Sequence, residues 1–214
     1  MTMGTQGAEH YFSSQPSTPM KRRPLGVVLA GEKRQLQTAG GIFSPDGVDK
    51  GTAILLSEAP PPATEGKLLD IGCGWGPIAL SLALRSPEAT VYAVDVNERS
   101  IELTNDNAKA LGLDNVHAST PETVDPDVRF NTIWSNPPIR VGKSELHSIL
   151  LMWLPRLAHN GTAYLVVQKN LGSDSLQRWL SAELSEQFPD AGFTVARHST
   201  NKAFRILRVT RTKP

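Results

Sequence analysis

The sequence predicts an α/β protein with a mostly parallel sheet that carries helices on both faces. From Gly66 onward, short apolar strand patterns alternate with amphipathic helical segments. Repeated strand–helix units produce parallel strands, and the connecting helices cover both faces of the sheet. Near the C-terminus, the strand patterns over 193–198 and 204–209 follow each other directly and are expected to form a closing antiparallel pair.

Residues 1–65 are expected to form an N-terminal arm and extension, and residues 66–214 the core domain. Composition and turn residues predict the elements of the first part. They are an irregular arm over 1–19, a strand over 25–30, a turn over 31–34, a partner strand over 34–43, and a helix that Asp49 caps and that ends before 59–62.

The core pattern predicts seven strands and four main helices. The strands are expected over 68–71, 90–95, 116–119, 130–135, 162–168, 193–198 and 204–209. The helices are expected after Gly76, after Asp95, from Ser144 and around residues 176–184. One domain is the expectation for 214 residues, and this length suffices for a sizeable core.

A glycine-rich turn follows the first core strand. The strand ends on Asp70 and Ile71, and glycines then alternate at Gly72, Gly74 and Gly76. Glycine permits positive φ and lets a ligand approach the main chain closely. Pro77 suits the first helical position, so the free N–H groups of a helix N-terminus point over the turn. The pattern favours a nucleotide-type site, while a plain turn is the alternative.

Asp95 ends the next strand and lies 19 residues after Gly76. Sheets of this kind place an acidic residue at such a distance, where it accepts hydrogen bonds from ribose hydroxyls. The alternative is a surface acid at a strand end. The glycine turn upstream favours the ribose interpretation.

The stretch Asn136-Pro137-Pro138 follows the strand over 130–135. Ligands bind at the carboxyl ends of parallel strands, where the strand order reverses. We therefore expect Asn136 beside the glycine turn. The Asn136 side-chain oxygen and the Pro137 carbonyl can each accept one N–H of an amino group, and the two prolines stiffen the loop. The alternative is an ordinary turn.

These three features together resemble the class I S-adenosylmethionine-dependent methyltransferases. More narrowly, the chain is similar to the family that contains the RsmC-type small-subunit ribosomal RNA guanine-N(2) methyltransferases. The resemblance implies a Rossmann-like fold, S-adenosylmethionine as cofactor, and transfer to an exocyclic amine. It assigns catalysis to Asn136, Pro137 and Pro138. It assigns cofactor binding to Phe43, Thr52, Asp70, Gly72, Cys73, Gly74, Trp75, Gly76, Asp95, Asn97, Ser119 and Asn136.

The upstream stretches 41–44 and 49–52 also carry the resemblance. In that family the upstream part helps to close over the cofactor, and we extend this role to Phe43, Asp49 and Thr52. The alternative is a helix cap with ordinary core packing. Two features depart from the family. Ile139 stands where most Asn-Pro-Pro enzymes have an aromatic residue that stacks on the base. Better-known members of the RsmC-type family also carry a degenerate second copy of the domain for substrate binding, and we expect none within these 214 residues.

An RNA substrate requires exposed basic residues for its phosphates. Basic residues are frequent over 197–213 and 21–34, although the net charge is only +1. Solvated edges and tails are the alternative. The candidate substrate-binding residues are Ile139, Arg140, Lys143, Lys169, Lys202 and Arg205. The expected partner is ribosomal RNA or the small ribosomal subunit, with the target nucleotide unpaired or flipped out.

Several other functions are disfavoured. The five His residues show no metal-ligand spacing, so we expect no metal site. Cys73 is the only cysteine, which excludes an internal disulfide and fits a reducing, cytoplasmic setting. No apolar run is long enough for a membrane span. A protein glutamine N-methyltransferase and a cofactor-less RNA-binding domain are the alternatives. The sequence leaves the oligomeric state and the target nucleotide open.

Overall fold

A computed structural model describes residues 20–214 of the chain, so the predicted arm over 1–19 lies outside the described residues. The hairpin strands are β1 (Arg22–Leu29) and β2 (Glu32–Ala39). The sheet strands are β3 (Glu65–Ile71), β4 (Glu88–Val94), β5 (Val116–Ser119), β6 (Phe130–Ser135), β7 (Leu157–Gln168), β8 (Phe193–Asn201) and β9 (Phe204–Arg211). The helices are α1 (Lys50–Glu58), α2 (Pro77–Arg85), α3 (Glu98–Ala110), α4 (Lys143–Trp153) and α5 (Ser173–Gln187).

The seven-stranded sheet has the order β5-β4-β3-β6-β7-β9-β8. Neighbouring strands from β5 to β7 pair in parallel, and β9 is inserted antiparallel between β7 and β8. The prediction of a mostly parallel, Rossmann-like sheet with an antiparallel closing pair is confirmed. The order reverses between β3 and β6, so the carboxyl ends of these two strands form the crevice in which such sheets bind ligands.

Helices cover both faces of the sheet, as predicted. One hydrophobic cluster includes Leu55 of α1, Leu80 of α2 and Leu103 of α3. The opposite cluster includes Leu150 of α4 and Leu180 of α5. Burial from both sides explains why the central strands are almost continuously apolar instead of alternating with polar residues. Within residues 20–214, no helix is both long and apolar enough to cross a membrane.

The hairpin differs from the prediction in its turn and in its second strand. Ala30 and Gly31 have φ values of 51° and 85°, and Leu29 pairs with Glu32. Two residues with positive φ make a turn whose twist matches that of the flanking strands. The predicted turn over 31–34 was therefore too long. The second strand ends at Ala39 instead of residue 43, because the carbonyls of Gly40 and Gly41 are hydrogen-bonded by side chains at the start of α3.

The extension packs against the core through Asn107 of α3. Its side chain accepts a hydrogen bond from the Gln37 N–H at 2.8 Å and donates to the Gln37 carbonyl at 2.9 Å. The same amide donates to the Trp75 carbonyl at 2.9 Å. Asn107 is fully buried. This single side chain thus joins β2, α3 and the glycine turn.

Replacing Asn107 with alanine is expected to lower the free energy of unfolding by about 2–4 kcal/mol, because it removes three hydrogen bonds and leaves the buried Trp75 carbonyl without this partner. Urea denaturation followed by circular dichroism measures this change. The exposed Asn170 provides the control, and Asn170→Ala is expected to change stability by less than about 0.5 kcal/mol. Equal effects of the two substitutions would show that Asn107 does not hold the extension.

Candidate active site

A cleft opens at the carboxyl edge of the sheet, at the junction of the extension and the core. The turn after β3 forms its floor, and the loop before α1 forms one wall. It is lined by Phe43, Ser44, Gly47, Asp49, Thr52, Gly72, Cys73, Gly74, Trp75, Pro77, Ile78 and Asn136. The extension therefore contributes to the same cleft as the glycine turn and the Asn-Pro-Pro stretch.

All three glycines of the turn adopt the left-handed conformation. Their φ values are 80° at Gly72, 59° at Gly74 and 99° at Gly76, which explains the need for glycine. The N–H groups of Gly72 and Cys73 donate to the Val94 carbonyl at 2.8 and 3.1 Å. A Cβ at Gly72 would meet no atom within 4 Å. The main chain at this position is therefore open to a ligand in the cleft.

Asp70 lies beneath the turn instead of lining the cleft. It is fully buried, and its Oδ2 accepts a hydrogen bond from the Ala79 N–H of α2 at 3.0 Å. Its Oδ1 has no hydrogen-bond partner among the described residues. Burial, together with the nearby charge of Asp95, raises the pKa of the Asp70 carboxyl to about 8. The side chain thus caps the helix from below, and it is protonated in much of the neutral pH range.

Asp95 lies immediately after β4 and holds the turn in place. Its Oδ2 accepts from the Gly74 N–H at 3.0 Å, and its Oδ1 accepts from the Asn97 N–H at 2.9 Å. Burial raises the pKa of the Asp95 carboxyl. Ser100 and Val96 also donate hydrogen bonds to this carboxyl, so a ligand hydroxyl would share its two oxygens with donors of the protein.

The structure places Asn136 beside the glycine turn, as the sequence predicts. The Ser135 hydroxyl donates to the Ile71 carbonyl at 2.7 Å and joins the ends of β6 and β3. The Asn136 Nδ2 donates to Asp49 Oδ2 at 3.0 Å and to Thr52 Oγ1 at 3.1 Å. The Asn136 side chain is therefore bound on one side by the start of α1.

The two prolines form a tight turn. The Ile139 N–H donates to the Pro137 carbonyl at 2.8 Å, and Pro138 has φ −76° and ψ 72°. This is an inverse γ-turn, with φ fixed by the proline ring. The Pro137 carbonyl already accepts one hydrogen bond within the protein and keeps a second lone pair for a ligand. Ile139 packs partly against the cluster beneath α4.

Other predicted cofactor residues are engaged within the protein. Asn97 is buried, donates to the Gly41 carbonyl at 2.8 Å, and accepts from the Arg99 N–H at 3.0 Å. The buried Trp75 donates from Nε1 to the Ser44 carbonyl at 3.1 Å. We therefore leave the Asn97 side chain out of the proposed binding set.

Cys73 and Ser119 also have structural contacts. The Thr104 hydroxyl donates to the Cys73 sulfur at 3.4 Å, and burial raises the pKa of this thiol. The carbonyl of Ser119 accepts from the Asp95 N–H at 3.3 Å. The Cys73 side chain is buried against α3, and its thiol is neutral. Residues 20–214 contain no group of His, Cys, Asp or Glu that could hold a metal ion.

Four of the predicted substrate residues share one edge of the molecule. They follow the carboxyl ends of β6 and β7 or form the turn between β8 and β9, which reaches the same edge. All are exposed: Arg140, Lys143, Lys169 and Lys202. By contrast, Arg205 is buried and pairs with Asp174. We therefore leave Arg205 out of the proposed substrate set.

The basic cluster of the hairpin is largely neutralised by nearby acids. Arg22 pairs with Glu102 and Asp106 of α3. Arg23 pairs with Asp46, and Arg34 pairs with Glu32 at 2.9 Å. These arginines are therefore weaker candidates for RNA phosphates than the basic residues at the cleft edge.

Two side-chain contacts at the start of α1 were not predicted from the sequence. Asp49 was expected to cap α1 and to help close over the cofactor, but its contact with Asn136 spans 87 positions. Phe204, at the start of β9, has its ring 3.1 Å from the position that a Cβ at Gly51 would occupy. No sequence signal links these residues, because tertiary packing alone brings them together.

Comparison with known proteins identifies the family. The model described as methyltransferase small domain matches residues 33–207. The chain belongs to the methyltransferase small domain family. It is also 37% identical over 171 residues to the uncharacterised protein YbxB of Bacillus subtilis, which covers 78% of this chain and 85% of YbxB.

Members with a named activity are matched over less of their length. The ribosomal RNA small subunit methyltransferase C of Salmonella choleraesuis is 37% identical over 107 residues, which is 50% of this chain and 31% of the relative. The structure of the T. thermophilus 16S rRNA N2 methyltransferase RsmC, in complex with AdoMet and guanosine, has a TM-score of 0.71 at 23% identity. It matches 91% of this chain and 52% of that protein, and shows that the two share a fold.

Membership in the methyltransferase small domain family makes S-adenosylmethionine the cofactor. The cleft fits such a group. Its floor is a glycine turn whose main chain is open at Gly72, and Asp95 stands at the end of the adjacent strand. Phe43 lines the cleft and is 41% exposed, so its apolar side chain can cover a bound ligand.

The raised pKa of Asp70 predicts a stability that depends on pH. Between pH 4 and pH 8 the carboxyl stays protonated in the folded state but ionises in the unfolded chain, so unfolding releases a proton and rising pH lowers stability. The free energy of unfolding is expected to fall by several kcal/mol, because each unit of difference between the folded and unfolded pKa of Asp70 corresponds to about 1.4 kcal/mol. Urea denaturation at several pH values should show that Asp70→Asn removes this slope and that the exposed Asp127→Asn does not. Parallel slopes for wild type and Asp70→Asn would contradict the assignment.

Proposed function

We propose that this protein is an S-adenosylmethionine-dependent methyltransferase that methylates an exocyclic amine of ribosomal RNA, specifically N(2) of a guanine in the small-subunit RNA. The observation that carries the proposal is the position of Asn136 in the cleft beside the open glycine turn, with Pro137 following it in the chain. Two hydrogen-bond acceptors thus stand next to the cofactor cleft. We place the reaction in the cytoplasm, where ribosomes are assembled.

An exocyclic amine is a weak nucleophile because its lone pair is delocalised into the ring. The cofactor supplies an electrophilic methyl group on a sulfonium. Asn136 Oδ1 and the remaining lone pair of the Pro137 carbonyl are proposed to accept the two N–H groups of the amine. They fix the nitrogen with its lone pair aimed along the cleft. Such positioning contributes several kcal/mol, up to about 7–11 kcal/mol in ideal geometry.

The remaining cleft residues are proposed to hold the cofactor. The cofactor can approach the main chain closely at Gly72 and Gly74. The Asp95 carboxylate is proposed to accept hydrogen bonds from its ribose hydroxyls. Phe43 and Thr52 contribute the wall formed by the extension. Asp70 supports this site indirectly, because it fixes the first turn of α2.

The choice of RNA rests on the relatives and on the charged edge of the cleft. The matched part of the Salmonella relative belongs to a ribosomal RNA methyltransferase, and the T. thermophilus neighbour was solved with guanosine. Arg140, Lys143, Lys169 and Lys202 supply exposed positive charge at the edge where a substrate would enter. The target guanine would have to leave its stack to reach Asn136.

The proposal is tested by transfer of labelled methyl from S-adenosylmethionine to naked ribosomal RNA, isolated small subunits and total protein. Label is expected in RNA and recovered as N(2)-methylguanine. Asn136→Ala should reduce turnover at least about 100-fold with little change in cofactor affinity, because it removes a contact to the accepting nitrogen. Asp95→Ala should instead weaken cofactor binding in calorimetry, since it removes the proposed ribose acceptor.

Each outcome of this assay has a separate meaning. If label appears only in protein and survives RNase treatment, the methyl acceptor is a protein glutamine and not RNA. No binding of S-adenosylmethionine would favour an RNA-binding domain without cofactor. Unchanged turnover in Asn136→Ala would remove this residue from the mechanism.

The charged edge of the cleft predicts which lysines bind RNA. The double variant Lys169→Glu and Lys202→Glu is expected to weaken RNA binding at least about tenfold and to reduce its salt dependence, because fewer phosphates are neutralised. Lys213 follows β9 at the opposite edge of the sheet, so Lys213→Glu is the charge-matched control for each of the single variants Lys169→Glu and Lys202→Glu. Fluorescence anisotropy across a salt series measures both quantities. An equal loss in Lys213→Glu would indicate a diffuse charge effect instead of a binding edge.

A further inference from the structure

We propose that Asp49, together with Thr52, sets the orientation of the Asn136 side-chain amide, so that its oxygen and not its nitrogen faces the methyl-accepting group. This inference rests on the proposed function, because it concerns the group that binds the accepting nitrogen. It makes Asp49 a positioning residue, which acts on the reaction through Asn136. The role belongs to the N-terminal extension, outside the sheet that carries the glycine turn.

The contact has a fixed chemical direction. The Asn136 Nδ2 lies 3.0 Å from Asp49 Oδ2 and 3.1 Å from Thr52 Oγ1. An ionised carboxylate can only accept hydrogen bonds, so the amide must present its NH₂ group to Asp49. The flipped amide would place its oxygen against the carboxylate oxygen, with two acceptors facing each other. Asp49 therefore determines which end of the amide points away from α1.

The oxygen that remains is the one that the reaction requires. Among residues 20–214, no hydrogen bond engages the Asn136 Oδ1, whereas both Nδ2 contacts go to α1 and its cap. Asn136 itself is only half-buried and lines the cleft. Its oxygen is thus the group available to accept an N–H from a substrate amine. With the opposite orientation, the amide would present donors to that amine and repel it.

Asp49 is held in place by the helix that it caps. Its Oδ2 accepts from the Gly51 N–H at 2.8 Å and from the Thr52 N–H at 3.4 Å. These are the free N–H groups of the first turn, which a cap satisfies. The helix is anchored by the fully buried Leu55 and by Glu58, whose carboxylate binds Ser199 and Asn201 of β8. The orientation of Asn136 therefore depends on a rigid element.

Gly51 leaves the space that this arrangement needs. A Cβ at Gly51 would lie 3.1 Å from Asp49 Oδ2, 3.1 Å from the Phe204 ring and 3.4 Å from Asn136 Nδ2. The backbone of Gly51 is helical, so alanine fits its conformation and its helix propensity is higher. Gly51→Ala is thus expected to preserve the fold while moving Asp49 and Asn136 apart.

The central test uses Asp49→Ser, because serine is a good helix cap but is too short to reach Asn136. Turnover is expected to fall about 10- to 100-fold. The cofactor dissociation constant from calorimetry should change less than about twofold, and the melting temperature should stay within about 2 °C. Gly51→Ala should show a smaller loss of turnover without a change in cofactor affinity. Thr52→Val should also lose turnover, and its cofactor affinity is measured separately because Thr52 lines the cofactor wall. Asp46→Ser, an exposed position in the same loop without contact to Asn136, is the matched control and should leave turnover unchanged.

A double-mutant cycle separates positioning from an independent effect. If Asp49 acts through Asn136, Asp49→Ser should reduce turnover no further in the Asn136→Ala background. Additive losses would overturn the inference, as would wild-type turnover in Asp49→Ser. A loss of cofactor affinity equal to the loss of turnover would show that Asp49 acts on the cofactor site instead.

A second readout needs no substrate. Nuclear magnetic resonance can follow hydrogen exchange of the Asn136 side-chain amide, whose signals are identified by their loss in Asn136→Ala. Exchange is expected to be at least about tenfold faster in Asp49→Ser than in wild type and Asp46→Ser, because the amide loses its acceptor. Unchanged exchange would overturn the inference. The wild-type protein could methylate no RNA and still exchange the Asn136 amide more slowly than Asp49→Ser. That result would contradict the proposed function, but it would support the orientation of Asn136 by Asp49.

Discussion

The parallel pairing of β3 with β6 is the constraint on which the site depends. Its register places Ile71 opposite Ser135, and the Ser135 hydroxyl joins the two strand ends. Because the strand order reverses here, no helix crosses over the gap between the two ends. The residues that follow, Gly72 and Asn136, must therefore meet at one crevice. A cofactor turn and a pair of acceptors separated by more than sixty positions become neighbours through backbone pairing alone.

The N-terminal extension is part of the active cleft. Asn107 joins β2 to α3 and the glycine turn, and Trp75 binds the loop before α1. These contacts bring Asp49 to the side of Asn136. Asn107 and Trp75 are buried and satisfy backbone groups, and such groups are costly when they are left unpaired. The extension is thus held by the same hydrogen bonds that shape the cleft.

Charge is distributed unevenly over the molecule. The carboxyls of Asp70, beneath the glycine turn, and Asp95, at the end of β4, have raised pKa values because partial or full burial disfavours their ionised forms. Arginines of the hairpin are paired with acids on the surface, where such pairs contribute little to stability. Exposed positive charge remains at the carboxyl edge of the sheet, beside the cleft. A nearly neutral chain can therefore present a basic entrance to the cleft.

The sequence by itself determined the alternation of strands and helices, the glycine turn after β3, the acid after β4 and the Asn-Pro-Pro stretch after β6. These features are local, since each depends on residue types within a few positions. It misjudged the hairpin turn, because Ala30 gives no signal for positive φ. Only the tertiary structure decided that Asn97 and Arg205 are engaged within the protein, that Asp49 contacts Asn136, and that Phe204 lies beside Gly51. Contacts between distant segments follow from packing and burial of whole elements, and neither composition nor spacing within one segment contains that information.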